Sequence, residues 1–448
     1  MSQMHNTAFY KDALVAQQNN TCSPMEEIEP NYIDNLHIIF FEQIFEEIDN
    51  LIDQVRMARA YPQFMPQILK FWQRRLHLII GPNTPFLGLL DIDDYVFFME
   101  HMADSFTDLH VHDGVGSFSE FYDYITHLCD INITKFPKVD TCILAGNPNT
   151  VVDEDIRDLT VMLPNLKRLM TCMNLSGLYM RGFKKLEELV FNSLYHSVPL
   201  DSRWIQDICL TMTNLRVLDI TDQFDSCVRL TDIKLPNLEV LKINLSTVEC
   251  MLSEVLQLPK LQKLSVRFDD SRQLNADQET IFQQIVVAKS ERITRIALNN
   301  EVVQLPARWQ QSLLLELPKL RKVICENWCH NDFFLDRQHM PCQQMEVLSF
   351  SGWEIVRETQ LLELVAECVN LEHLALNGYH SNWEKLTKLV NIRNQERNPR
   401  PLQVFSDMMW GNFTPEEYYH WQSNKYVQVT CDSSEYEYQE DGFEFDFE

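Results

Sequence analysis

Cys325, Cys329, His330, His339 and Cys342 fall within eighteen residues, and zinc is held by four side chains of these two kinds. Their spacing matches no common zinc module, and Cys325 has a competing place in a repeated apolar pattern, so no metal is assigned to them. His110 and His112 stand at alternate positions, with His101 and Asp113 nearby. Alternate residues of a strand share a face, so the two imidazoles form a plausible pair. No third ligand is indicated, and surface histidines are the simpler reading. The chain has no G-x-S-x-G, H-E-x-x-H, phosphate-loop or dinucleotide fingerprint. Nothing sets a serine, a histidine and an aspartate together. The chain is expected to be non-catalytic and to need no cofactor.

The residue types with chemistry left to explain are cations at regular places. Arg168, Lys242, Lys263, Arg267, Arg295 and Lys322 each stand beside an apolar position of a recurring phrase. The phrase is Leu163-Pro-Asn-Leu166, Leu235-Pro-Asn-Leu238, Leu258-Pro-Lys-Leu261 and Leu317-Pro-Lys-Leu320, each followed by further apolar residues three and five positions on, with Thr171 the one weak member. The triads run Phe106/Leu109/Val111, Val139/Cys142/Leu144, Leu166/Leu169/Thr171, Leu186/Leu189/Phe191, Leu215/Leu218/Ile220 and Leu238/Leu241/Ile243. They continue as Leu261/Leu264/Val266, Ile293/Ile296/Leu298, Leu320/Val323/Cys325, Met345/Leu348/Phe350 and Leu371/Leu374/Leu376, with a degenerate copy at Leu402/Val404. This L-x-x-L-x-L spacing is that of a leucine-rich repeat. The expected fold class is α/β, a leucine-rich-repeat solenoid or horseshoe with a small helical domain before it. Successive triads start 20 to 33 residues apart, and the longer gaps have room for a helix. Ala276–Lys289 and Thr359–Cys368 carry the matching apolar period.

Strand side chains alternate between faces, so the residues flanking the second apolar position of each triad are expected on the concave face. There the outward acids are Asp108, Glu188, Asp219 and Glu326, against the six cations. From Lys242 to Lys322 every charged outward position is basic. Two readings stay open: chance, or a cradle for an acidic or phosphorylated protein segment. Elsewhere the balance is reversed, with 65 acidic and 38 basic residues and a net charge of −27. That speaks against unspecific binding to nucleic acid or anionic membrane.

The N-terminal block positions a second set of residues. Leu36, Phe40, Phe41, Ile44, Phe45 and Ile48 share one side of an expected helix. Val55 and Phe64 follow in a second, and Ile68, Leu69 and Trp72 in a third, with breaks at Pro62 and Pro66. The block resembles an F-box. Leu36 takes its opening position, Phe40-Phe41 its apolar pair, Ile44-Phe45 its Ile-Phe and Ile48 its Leu. Asp53-Gln54-Val55 resembles its Asp-Leu step, and Pro62-Gln63-Phe64 the end of its second helix. The departures are His37 in the place of the usual Pro and Ile39 in the place of a frequent Glu. An F-box joined to leucine-rich repeats implies the substrate-recognition subunit of an SCF, cullin-based ubiquitin ligase. The F-box would dock on the Skp-type linker, through Leu36, Phe40, Phe41, Ile44, Phe45, Ile48, Val55 and Phe64. The repeats would hold a protein substrate for ubiquitination and proteasomal degradation. The alternative is a leucine-rich-repeat scaffold or inhibitor with no ligase attached.

The expected organisation is a disordered segment at 1–30, an F-box-like domain at 31–80, repeats at 84–405, a C-terminal cap at 406–431 and a tail at 432–448. The tail carries eight acids, five aromatic residues and no base. It reads as a solvated end, with docking against the cations as the alternative. The start lacks a basic region followed by an apolar one, and no apolar run reaches membrane-spanning length. The twelve cysteines are expected to be reduced and the protein cytoplasmic or nuclear. The glycosylation-like matches at Asn132, Asn174, Asn244 and Asn412 are then chance.

Overall fold

The structure is a computed structural model. It describes residues 43–45, 47–48, 50–75, 90–111, 135–145, 151–191, 201–221, 233–244, 247–248, 251–267, 276–299, 317–326, 344–351, 362, 365–377, 383–396, 402–407 and 427–430. The chain divides into two compact units, Met1–Arg75 and Leu76–Glu448.

Among its described residues the larger unit holds one thirteen-stranded sheet whose strands follow in sequence order. They are β1 (Asp108–Val111), β2 (Thr141–Leu144), β3 (Arg168–Thr171), β4 (Glu188–Phe191), β5 (Val217–Ile220), β6 (Val240–Asn244) and β7 (Lys263–Arg267). Then come β8 (Arg295–Asn299), β9 (Lys322–Glu326), β10 (Val347–Ser351), β11 (His373–Asn377), β12 (Gln403–Asp407) and β13 (Val427–Thr430). Each is parallel to the next, in a register that aligns like positions. Leu169, Leu189, Leu218, Leu241, Leu264, Ile296, Val323, Leu348 and Leu374 stand side by side in one row across the sheet. All nine are buried. Burying one leucine-sized side chain contributes roughly 1.5–3 kcal/mol, and here each does so against both neighbours.

Parallel strands need a crossover, and the crossovers supply the helices. Among the described residues of this unit these are α4 (Asp153–Met162), α5 (Ser202–Thr211), α6 (Leu252–Gln257), α7 (Ala276–Lys289) and α8 (Trp383–Glu396), while α3 (Ile92–Met102) precedes β1. Their apolar stripes, such as Ile156, Leu159 and Met162 of α4, are buried. Between β3 and β4 the link is only a 3-10 turn, Met180–Gly182. It is compact because Gly177 takes a φ of 91° and Gly182 has no Cβ, which would otherwise stand 2.5 Å from Thr160.

The Pro-Asn and Pro-Lys pairs of the recurring phrase form the turn before the strand that follows each copy, β3, β6, β7 and β9. The third residue of the phrase ties one turn to the next. The Asn165 amide donates to the Pro137 carbonyl at 2.7 Å, and Lys185 Nζ in turn donates to Asn165 Oδ1 at 2.6 Å. Asn237 donates to the Thr213 carbonyl at 3.0 Å and accepts from Lys260 at 2.8 Å. Two buried cations do the same for helix ends, whose last carbonyls have no partner inside the helix. Lys289 Nζ donates to the carbonyls of Leu256 and Leu258, at 2.6 and 2.7 Å. Arg393 donates to those of Val365, Cys368, Val369 and Leu371. Burial lowers the Lys289 ammonium pKa from its ordinary value.

The smaller unit contains α1 (Leu51–Ala60), a 3-10 turn (Pro62–Phe64) and α2 (Met65–Arg75). Asn50 caps α1 by accepting from the Ile52 amide at 2.9 Å. Leu51, Val55 and Ala58 are its buried stripe.

The expected fold class is corrected on both counts. The architecture is an α/β arrangement, a single all-parallel sheet with helices in its crossovers, rather than a leucine-rich-repeat horseshoe behind a three-helix domain. The repeated phrase specifies a turn and a strand but leaves the crossover open. Here the crossovers differ from one another, from a 3-10 turn to a fourteen-residue helix. In the N-terminal unit only Gln43–Phe45 of the expected first helix is helical among the described residues, and Ile48 lies beyond it. Pro66 breaks nothing: it sits in the first turn of α2, where a missing N–H costs no hydrogen bond. No helix among the described residues is long and apolar enough to cross a membrane.

The sheet core makes a direct prediction. Leu241 is fully buried in the middle of the row. Leu241→Asp places an unpartnered carboxylate there, at a cost of several kcal/mol. Thermal unfolding of the full chain should shift strongly downward, with protection from hydrogen exchange lost first in β5–β7.

Candidate functional site

The sheet face opposite the leucine row carries the expected cations, and the register sorts them. Lys263, Arg295 and Lys322 are direct partners on β7, β8 and β9. Adjacent strands lie about 4.8 Å apart, so three cationic stems rise from a span of about 10 Å. All three residues are half-buried, and along β7 buried and half-buried positions alternate, as two faces require. The row is bounded by Val240 on β6 and Val347 on β10. Two positions further along the same strands stand Ser265 and Ala297, which are small.

The other expected cations lie elsewhere. Lys242 is one row further on, level with Ser265, and its Nζ is 3.4 Å from Asp219 Oδ2 on β5. Asp219 is buried and also accepts from the Thr221 amide and hydroxyl, the latter at 2.6 Å. Arg267 ends β7, level with Asn244 and Asn299. Arg168 lies four strands from Lys263 and is level with Glu188. Burial raises the Glu188 carboxyl pKa, against the pull of Arg168 and Arg216. The continuous basic stretch read from the sequence is therefore narrower: one row of three cations, bordered on the β5 side by an ion pair.

Three features were missed. At the strand entries from β2 to β6 charges alternate in sign, as Asp140, Lys167, Glu187, Arg216 and Glu239, whereas β7 and β8 are entered through the neutral Gln262 and Thr294. Lys167 pairs with Asp140, Arg216 with Glu239 and Arg321 with Glu346, at 3.4, 3.0 and 3.2 Å. On the cation side of the sheet, Ile143, Met170 and Val190 with Ala145 form a second buried cluster over β2–β4. Apolar residues at outward positions were the available signal. The third feature is in the N-terminal unit.

There Phe45 is 1% exposed and stacks edge-on against Phe71, with ring centres 5.1 Å apart, beside Trp72 at 6.3 Å. Trp72 Nε1 donates to Gln54 Oε1 at 2.9 Å, and Gln54 Nε2 donates to the Ile48 carbonyl. This relay holds the segment before α1 against α2. Val55 and Phe64 are also core residues, Ile48 is half-buried, and Ile44 is 46% exposed. Of the eight residues expected to touch a linker subunit, Ile44 is therefore the one that the described structure puts at the surface. Leu36, Phe40 and Phe41 lie outside the described residues, as do His112, Asp113, Cys329, His330, His339, Cys342 and the acidic tail.

No cluster of three or more metal-ligating side chains occurs among the described residues. Cys325 belongs to the sheet row next to Leu298 and Phe350. His101 Nδ1 is 2.7 Å from the Phe97 carbonyl one turn back on α3. Cys142, Cys172, Cys209 and Cys368 are free thiols. Burial pushes Cys142 strongly upward and Cys209 up to about 12, so neither supplies a thiolate near neutral pH. Compared with known proteins, the chain matches no family model and no curated protein.

The Asp219–Lys242 pair is testable by itself. Lys242→Met leaves a buried carboxylate without its cation, which should cost about 1–3 kcal/mol. Adding Asp219→Asn should recover most of that loss in the same thermal-unfolding measurement.

Proposed function

We propose that this chain is the substrate-recognition subunit of an SCF-type, cullin-based ubiquitin ligase. The N-terminal unit docks on the Skp-type linker subunit, and the parallel sheet holds the protein to be ubiquitinated. The chain then performs no chemistry of its own. It raises the local concentration of the substrate at an active site on another subunit. The reading also implies work in the cytoplasm or nucleus.

The observation that carries this proposal is the division of labour around Phe45. The F-box resemblance includes the Ile44-Phe45 pair, and here the two residues take opposite roles. Phe45 builds the aromatic core, while Ile44 next to it leaves nearly half its surface to water. An exposed, bulky apolar side chain beside a packed aromatic core is a suitable anchor for a partner's groove. The separate compactness of Met1–Arg75 further supports the reading, because a docking module has to fold without help from the substrate-holding part.

Separate substitutions distinguish folding from docking. Ile44→Asp should leave the unfolding temperature of the full chain nearly unchanged and abolish co-purification with the linker subunit. Phe45→Ala should cost roughly 3–5 kcal/mol, as truncation of a buried aromatic does, and lose the linker through unfolding of the unit. Full linker capture by Ile44→Asp would show that Ile44 is not the anchor, and no capture by the unaltered chain would favour a scaffold or inhibitor with no ligase attached.

A further inference from the structure

We propose that Gln54 is a positioning residue for linker docking: by tying Trp72 to the Ile48 carbonyl, it sets where Ile44 stands. The inference deepens the receptor role proposed above and rests on it.

The chemistry of the two partners selects this side chain. The Ile48 carbonyl can only accept a hydrogen bond, and the Trp72 indole N–H can only donate one. A group between them has to donate at one end and accept at the other. Gln54 does both: its Nε2 donates to the Ile48 carbonyl, and its Oε1 accepts from Trp72 Nε1 at 2.9 Å. An ionised glutamate of the same length only accepts, a lysine only donates, and a methionine offers one weak acceptor. Gln54 and Trp72 are both buried, so an end left without its partner costs more than a lost surface bond. The neighbouring buried positions of α1 are the apolar Leu51, Val55 and Ala58. An apolar residue would serve that stripe equally well; the amide serves its two partners. The F-box resemblance assigns Gln54 no role, because Asp53 and Val55 carry the step it stands in.

The contacts also close on themselves around the anchor. The Trp72 ring lies beside Phe45, and its N–H holds Gln54. Gln54 holds the Ile48 carbonyl, and the Ile48 amide donates to the Phe45 carbonyl at 3.3 Å. One indole therefore reaches Phe45 twice, directly through its ring and indirectly through Gln54 and Ile48. Ile44 precedes Phe45 in the helical turn Gln43–Phe45. With Phe45 held from both sides, the exposed Ile44 takes its place before a partner arrives. An anchor already in place loses less conformational freedom on binding, and that difference appears as affinity.

The test is a double-mutant cycle on the affinity of the purified full chain for a purified Skp-type linker subunit. Gln54→Met keeps the length of the side chain and removes both hydrogen bonds. It should weaken linker binding about tenfold. Ile44→Ala removes the anchor and should weaken binding by itself. In the Ile44→Ala background, Gln54→Met should change affinity less than about twofold, because the residue it positions is gone. Hydrogen exchange without linker gives a readout that a general loss of stability would not. Gln54→Met should speed exchange of the Ile48 amide about tenfold, while amides within α2 keep their protection. Undiminished linker affinity in Gln54→Met would overturn the proposal, and so would an equal loss in the Ile44→Ala background. Loss of protection throughout α1 and α2 would make Gln54 a folding residue and overturn it too. No binding by the unaltered chain would overturn the receptor role and this inference with it. Full binding by both the unaltered chain and Gln54→Met would overturn this inference alone.

Discussion

No strand of the large unit can be stable alone. Each has only four or five residues, and its inward side chains find contacts only when a like strand stands on either side in register. The buried row from Leu169 to Leu374 is that condition expressed in residues. Everything else follows from holding it: a turn of fixed form before each strand, a crossover of any form after it, and no offset between neighbours. An offset of one residue would exchange the leucine row for the cation row. The same constraint that builds the core therefore brings Lys263, Arg295 and Lys322 level on the other face.

Much of this was legible because the period of the phrase is tied to backbone geometry. An apolar residue, a proline turn and a second apolar residue three positions on dictate where a strand starts and which way its side chains face. The even spacing between outward cations follows from the same rule. What the phrase does not contain is the crossover, and there the expectation failed. A horseshoe needs regular crossovers; these vary, and the architecture is one all-parallel α/β sheet.

Interactions between distant parts of the chain were the least legible. Asp219 and Lys242 are 23 residues apart and were read as separate charges; only the register makes them neighbours. Lys289 and Arg393 look like surface residues of amphipathic helices. They are buried because each reaches the carbonyls that end the preceding helical segment. Gln54 looked like one residue of a docking motif, but it is the middle of a relay from Trp72 to the Ile48 carbonyl. In each case the residue type was visible, while the partner depended on a packing that local periodicity does not encode.

The proposed receptor role joins the two units by function: one would dock on a linker subunit, and the sheet of the other would hold a protein substrate. Its most direct test is reconstitution of the full chain with a purified Skp-type linker subunit, read by size-exclusion chromatography with light scattering. A one-to-one complex that stays together through the column is the expected result. Separate elution of the two proteins at micromolar concentration, with the chain fully folded, would contradict it.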